Sequence, residues 1–178
     1  MRRRGITLAL SVGVWTLVAA VAAAGEKVAT WDDCEPVTFN AAIGPGTCAD
    51  VGGEVTFSEF LSVLPLAGHP AWRNEPSYLK IKPGEKVTVT NEGGENHTFT
   101  EVAVFGGGFI PPLNTPLGLT PVPECGSVVG SSVVPNPDVV MLAPGARLQV
   151  DGLDVGTHLF ECCIHPWMRA AIKVEEKD

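Results

Sequence analysis

Beyond residue 24, the apolar runs of this chain are short, alternate with polar residues and end at turn signals, which is a strand signature. Lys86-Val87-Thr88-Val89-Thr90 alternates with period two and stops at Asn91. Tyr78-Leu79-Lys80-Ile81-Lys82 stops at Pro83-Gly84. Gly53 to Phe60 begins a further run, and Thr98 to Val104 another. Val139 to Leu142 and Arg147 to Val150 flank Pro144-Gly145 as two strands around a turn. Thr157 to Cys162 and Ala170 to Glu175 complete the set. Seven or eight such runs predict an all-β sandwich. No long segment after residue 24 has helical periodicity, although short helical turns fit between Glu59 and Pro76.

The first 24 residues read as a targeting segment. Arg2, Arg3 and Arg4 form a basic head, Ile6 to Ala23 an apolar stretch, and Ala22-Ala23-Ala24 meets the small-residue rule for cleavage. Cleavage after Ala24 is expected, with an uncleaved membrane anchor as the alternative. Either way the remainder is exported, to a periplasmic or extracellular space. That remainder carries nine basic and twenty acidic residues, a net charge of -11. Such a balance disfavours nucleic acid and anionic membrane surfaces and suits a basic protein partner. It serves equally to keep an exported protein soluble.

Two stretches exceed a minimal sandwich. Residues 25–52 are expected to be an N-terminal extension packing on a domain that spans 53–178. Residues 106–137 are rich in Pro and Gly and read as a long loop, unusual in a compact domain. Gly106-Gly107-Gly108 lacks the strand-then-helix context of a phosphate loop and reads as a turn.

The chemistry lies near the end, in His158-Leu159-Phe160-Glu161-Cys162-Cys163-Ile164-His165-Pro166-Trp167-Met168. A cysteine, a histidine three residues on and a methionine three beyond that offer thiolate, imidazole and thioether in one short loop. Two His and one Cys with a weak axial Met make a blue-copper centre. His97, in Asn91-Glu92-Gly93-Gly94-Glu95-Asn96-His97-Thr98, is the candidate for the second imidazole. Along a strand, His158, Phe160 and Cys162 share one face. His69 reads as a loop residue and His158 as a packed histidine. Five cysteines leave one thiol over. If Cys162 is the ligand, Cys34 pairs with Cys48 around Gly44-Pro45-Gly46, and Cys125 with Cys163 by elimination. Cys163 as the inward thiol, or a Cys162–Cys163 bridge, would defeat the site.

With these residues the chain resembles the cupredoxin family of small blue copper proteins, of the plastocyanin and amicyanin kind. The resemblance covers roughly Gly53 to Val174. It is strongest at the Asn91 to Thr98 loop and at Gly156 to Met168, where Phe160 matches and His158 stands in the usual place of a Tyr. It implies a Greek-key β-sandwich holding one type 1 copper ion on His97, Cys162, His165 and Met168. It also implies a His165 edge near solvent that serves as the electron port, and a Thr98 that links the two ligand loops. Trp167 would shape a docking patch or cover the metal from water.

The function implied is single-electron transfer between redox protein partners, with no small-molecule substrate and no enzymatic turnover. Copper storage or delivery is the alternative, weakened by a thioether supply of Met141 and Met168 alone. A multicopper oxidase needs His-x-His pairs and a binuclear copper site needs two cysteines four apart, and the sequence has neither. A mononuclear copper enzyme stays open if Met168 does not bind. A metal-free binding module sits poorly with a complete ligand set.

Overall fold

The computed structural model describes residues 25–49 and 52–176; the expected signal peptide at 1–24 lies outside them. In chain order the strands are β1 (Glu26–Trp31), β2 (Arg73–Glu75), β3 (Tyr78–Ile81), β4 (Val87–Asn91), β5 (His97–Thr98), β6 (Thr100–Val102), β7 (Gly126–Val129), β8 (Ser132–Pro135), β9 (Met141–Leu142), β10 (Arg147–Val150), β11 (Gly156–Glu161) and β12 (Arg169–Val174). The helices are α1 (Pro36–Ala42), α2 (Phe57–Ala67) and α3 (Pro111–Asn114). Eight strands form two four-stranded sheets, ordered β10-β4-β1-β2 and β3-β12-β11-β6, and the other four pair as β5 with β9 and β7 with β8. This is the expected all-β sandwich. Among the described residues no helix is long and apolar enough to cross a membrane.

Alternation builds the core between the sheets. In β4, Val87 and Val89 point inward while Thr88 and Thr90 are half-buried; in β12, Ala170, Ile172 and Val174 do the same from the facing sheet. Val28, Ile81, Phe99, Leu142 and Phe160 fill the space between them, with the Phe99 and Phe160 rings stacked at 4.5 Å. Each side chain of this kind contributes about 1.5–3 kcal/mol when taken fully out of water.

Residues 26–31, assigned from sequence to an extension, lie inside the sheet. β1 runs parallel to β4, with Val28 opposite Val89, and antiparallel to β2. Parallel neighbours need a long connection. The chain between β1 and β4 supplies it and places α1 and α2 over one end of the sandwich. α1 starts at Glu35, whose carboxylate accepts the Val37 and Thr38 N–H groups at 2.8 and 2.7 Å, with Pro36 at its first position. The expected strand from Gly53 to Phe60 is instead the entry to α2. Thr56 caps the Glu59 N–H and Glu59 reaches back to the Thr56 N–H, so a capping box turns the chain into helix after a single bridge between Val55 and Cys34.

The Pro/Gly-rich stretch at 106–137 also has structure of its own: α3, a 3-10 turn at Thr115–Leu117, and the β7–β8 hairpin. Buried Asn114 anchors its start, accepting the Gly108 N–H at 2.9 Å and donating to the Gly108 carbonyl at 2.7 Å. Disulfides join Cys34 to Cys48 and Cys125 to Cys163, the two pairings expected, and Cys162 is the free, buried thiol.

Candidate metal centre

β11 ends at Glu161 and delivers Cys162 to the end of the sandwich covered by α2. The chain then makes one tight loop. Met168 N–H donates to the His165 carbonyl at 2.9 Å, and Cys162 N–H to the Met168 carbonyl at 3.0 Å. His165 therefore returns over the sulfur it follows by three residues. His97 comes from β5, held against Leu142 of β9. Asn91 pins the loop before it, donating to the Glu95 and Leu142 carbonyls at 2.8 Å each and accepting from Gly93 N–H at 2.9 Å.

The structure brings three of the four sequence-selected residues into one donor set. The Nδ1 atoms of His97 and His165 each lie 3.9 Å from Cys162 Sγ, and all three ligand atoms fall within 4.8 Å of one another. A first-row metal bonded at about 2.0 Å to nitrogen and about 2.3 Å to sulfur requires these N···S distances to stay below about 4.3 Å, a condition that both meet. Thiolate and two imidazoles suit copper or zinc; an added thioether favours copper. Met168 is fully buried in the same apolar cluster as Cys162. Backbone N–H groups of Thr98 and His165 point at the sulfur at 3.4 Å, and Thr98 Oγ1 accepts the Cys163 N–H at 2.7 Å, joining the two loops.

Two carboxylates complete the surroundings, and neither was singled out from sequence. Asp32, just past β1, faces His97 Nε2 at 2.7 Å with both side chains fully buried. It also accepts N–H groups from Cys34, Gly94 and Glu95. Gly93 packs so close that a Cβ there would stand 2.1 Å from Asp32 Oδ2. Glu95 Oε2 accepts the Trp72 indole N–H at 2.6 Å and lies 3.5 Å from His165 Nε2. Asp32 sits 65 residues from its histidine, beyond any motif spacing; its one local sign is an acid at the inward phase of a strand.

These contacts set the protonation of the metal-free site. Burial pushes the Cys162 thiol up, yet the neighbouring His165 and His97 imidazoles bring it well below the ordinary thiol value. Burial likewise disfavours the His97 imidazolium, but Asp32 and the Cys162 sulfur hold its pKa up at about 9. For Asp32, burial raises and the His97 partnership lowers, with a net downward shift; for Glu95, burial wins and the shift is upward. The sulfur is thus ready for a metal while His97 has a proton to release.

His165 departs from the expected solvent edge: it is only 3% exposed. Phe60 of α2, Trp72 and Trp167 surround its ring, Trp167 at 5.4 Å between centroids. Phe60 comes from α2, Trp72 from the chain just before β2, and Trp167 from the loop between Cys162 and Met168. An apolar pocket of about 340 Å³, lined by Phe39, Phe57, Phe60, Ile110, Ile164 and the edge of His165, opens beside it. His69 stays outside the donor set, packing on Trp72 at 5.0 Å. His158 contacts Glu101 at 2.6 Å and the Asp154 carbonyl at 2.8 Å.

Two facing sheets carry His97 on one loop and Cys162 and His165 on another. The chain is similar to solved cupredoxin structures. Similar solved structures include a purple cupredoxin from Nitrosopumilus maritimus, 17% identical, covering 84% of this chain and 99% of that one with a TM-score of 0.42. An oxidised mutant of amicyanin is 15% identical over 88% of each chain, TM-score 0.40. A reduced amicyanin mutant is 22% identical over 57% of this chain and 71% of its own, TM-score 0.35. No family model and no curated protein matches the chain.

Proposed function

We propose that this chain is an exported type 1 copper protein that passes single electrons between redox proteins. The observation that carries this reading is one buried thiol flanked by two imidazole Nδ1 atoms at 3.9 Å, on loops locked together by Thr98. Copper supplies the one-electron step, and Cys162, His97 and His165 would hold it with Met168 as a weak fourth donor. The chain's own work is to fix these donors and to exclude water. A rigid, dry site needs little reorganisation when the charge of its ion changes. The two disulfides agree with an oxidising, exported location. With His165 covered, the electron would pass through the apolar end around Phe60 and Trp167, and the acidic surface suits a basic partner.

The test is the visible spectrum of the protein loaded with Cu(II), beside a Cys162→Ser variant. An intense thiolate-to-copper charge-transfer band that vanishes in the variant is expected. A weak band, or one that survives in the variant, overturns the reading.

A further inference from the structure

Resting on the copper reading above, we propose that Asp32 and Glu95 are positioning residues that bias the site toward Cu(II), lowering its reduction potential. Both imidazoles turn Nδ1 toward Cys162, so both turn Nε2 outward, and each Nε2 faces a carboxylate: Asp32 at 2.7 Å and Glu95 at 3.5 Å. An N–H donated from His97 Nε2 to Asp32 leaves the Nδ1 lone pair free for the metal and makes the ring a stronger donor, while Glu95 stands near His165 Nε2 at 3.5 Å. Neither carboxylate is free to swing away. Asp32 is tied by three backbone N–H groups and Glu95 by the Trp72 indole.

The direction follows from charge. Cu(II) carries one positive charge more than Cu(I), and buried negative charge one imidazole away stabilises the higher charge more, with little screening by solvent. The N–H groups of Thr98 and His165 at the sulfur act the other way, but they are peptide dipoles at 3.4 Å, whereas Asp32 sets a carboxylate 2.7 Å from the His97 imidazole. Asp32, with the shorter contact, has the larger effect. The segment before α1 thereby acquires a role in the site itself: it sets the metal's preferred oxidation state.

The experiment measures the Cu(II)/Cu(I) midpoint potential of the full chain and of Asp32→Asn, Glu95→Gln and, as a control, Asp151→Asn, an exposed carboxylate paired with Lys86. Wild-type protein must first show the charge-transfer band; its absence sinks the copper reading, and this inference with it. Given the band, Asp32→Asn is expected to shift the Cu(II):Cu(I) affinity ratio about tenfold toward Cu(I), a rise of about 59 mV for one electron. Glu95→Gln should give a smaller rise, and Asp151→Asn less than either. Rises in Asp32→Asn and Glu95→Gln no larger than in the control, or falls, overturn the proposal while leaving the copper site standing. Because Asp32→Asn also disturbs three backbone bonds and can unfold the loop, the wild type offers a second measurement. In its diamagnetic Cu(I) form, NMR should show a His97 Nε2 proton protected from exchange with solvent, and a freely exchanging one overturns the proposal.

Discussion

Between the sheets, Val28, Val87, Val89, Ile172 and Val174 are buried against other apolar side chains; at the end under α2, Asp32, Asn91, Glu95, His97 and His165 are buried about as well. Water is excluded from both regions at very different cost. The apolar region gains free energy from area alone. The polar region must find a hydrogen bond for each group it buries, because an unmet one costs about 1–3 kcal/mol. It does so through long-range pairs, Asp32 with His97 and Asn91 with Leu142, and both disulfides lie next to it. Stability comes from one end of the sandwich, and chemistry is held at the other by cross-links.

If that division is right, damage to the two ends should separate in experiment. The largest expected effect on stability is from Ile172→Ala, which leaves a cavity in the sheet core and should cost about 2–5 kcal/mol in urea unfolding while leaving the copper band in place. A band displaced as far as by a ligand-loop variant would show the ends to be coupled. Removing the Cys125–Cys163 bridge by Cys125→Ala with Cys163→Ala should cost about 2–4 kcal/mol and, on the copper reading, also alter the spectrum of the loaded protein, since Cys163 adjoins Cys162.

Glu161 lies at the boundary, the last residue of β11 and fully buried. Burial pushes its carboxyl up to about 7, outweighing the Gly106 N–H at 3.0 Å and Arg169 at 4.0 Å. The folded chain therefore keeps a proton that the unfolded chain loses above its ordinary value of 4.5. Metal-free protein should lose stability through this group as pH rises from there to about 7, by at most about 3 kcal/mol. Glu161→Gln should flatten that part of the profile, and an unchanged slope would place the proton elsewhere.

The smallest effect belongs to His158, outside both regions. Its bond to Glu101 raises the imidazole above its ordinary value of 6.5. The stabilisation is present in full below pH 6.5 and is lost as pH rises through the folded value. With Glu101 half-exposed, it should amount to at most about 1 kcal/mol. Unfolding His158→Gln beside wild type at pH 6 and at pH 9 measures it.

The same division governs what could be read in advance. The sheet core was legible: Lys86 to Thr90 alternates, and Pro83-Gly84 and Pro144-Gly145 mark the turns between β3 and β4 and between β9 and β10. The Cys162-to-His165 spacing was legible too, because three residues bring a side chain back over its predecessor in a tight loop. Regions shaped by distant partners were not. β1 has no local mark of its parallel pairing with β4. Thr56-x-x-Glu59 was present as a cap signal, but the apolar run around it read as strand. The β7–β8 hairpin turns at Gly130-Ser131 amid a Pro-rich stretch that hid it.

Adjacent cysteines with opposite fates carry a consequence for how the molecule is made. Cys163 is bridged to Cys125 while its neighbour keeps a thiol, so disulfide formation comes to a fork. Oxidation that joins Cys125 to Cys162 closes almost the same covalent ring, yet it strands a thiol on Cys163 and leaves no sulfur facing the two histidines. Such an isomer would be a colourless dead end. On the copper reading, an ion seated early on Cys162 would act as a protecting group, and the order of metal binding and disulfide formation would decide how much of the chain matures.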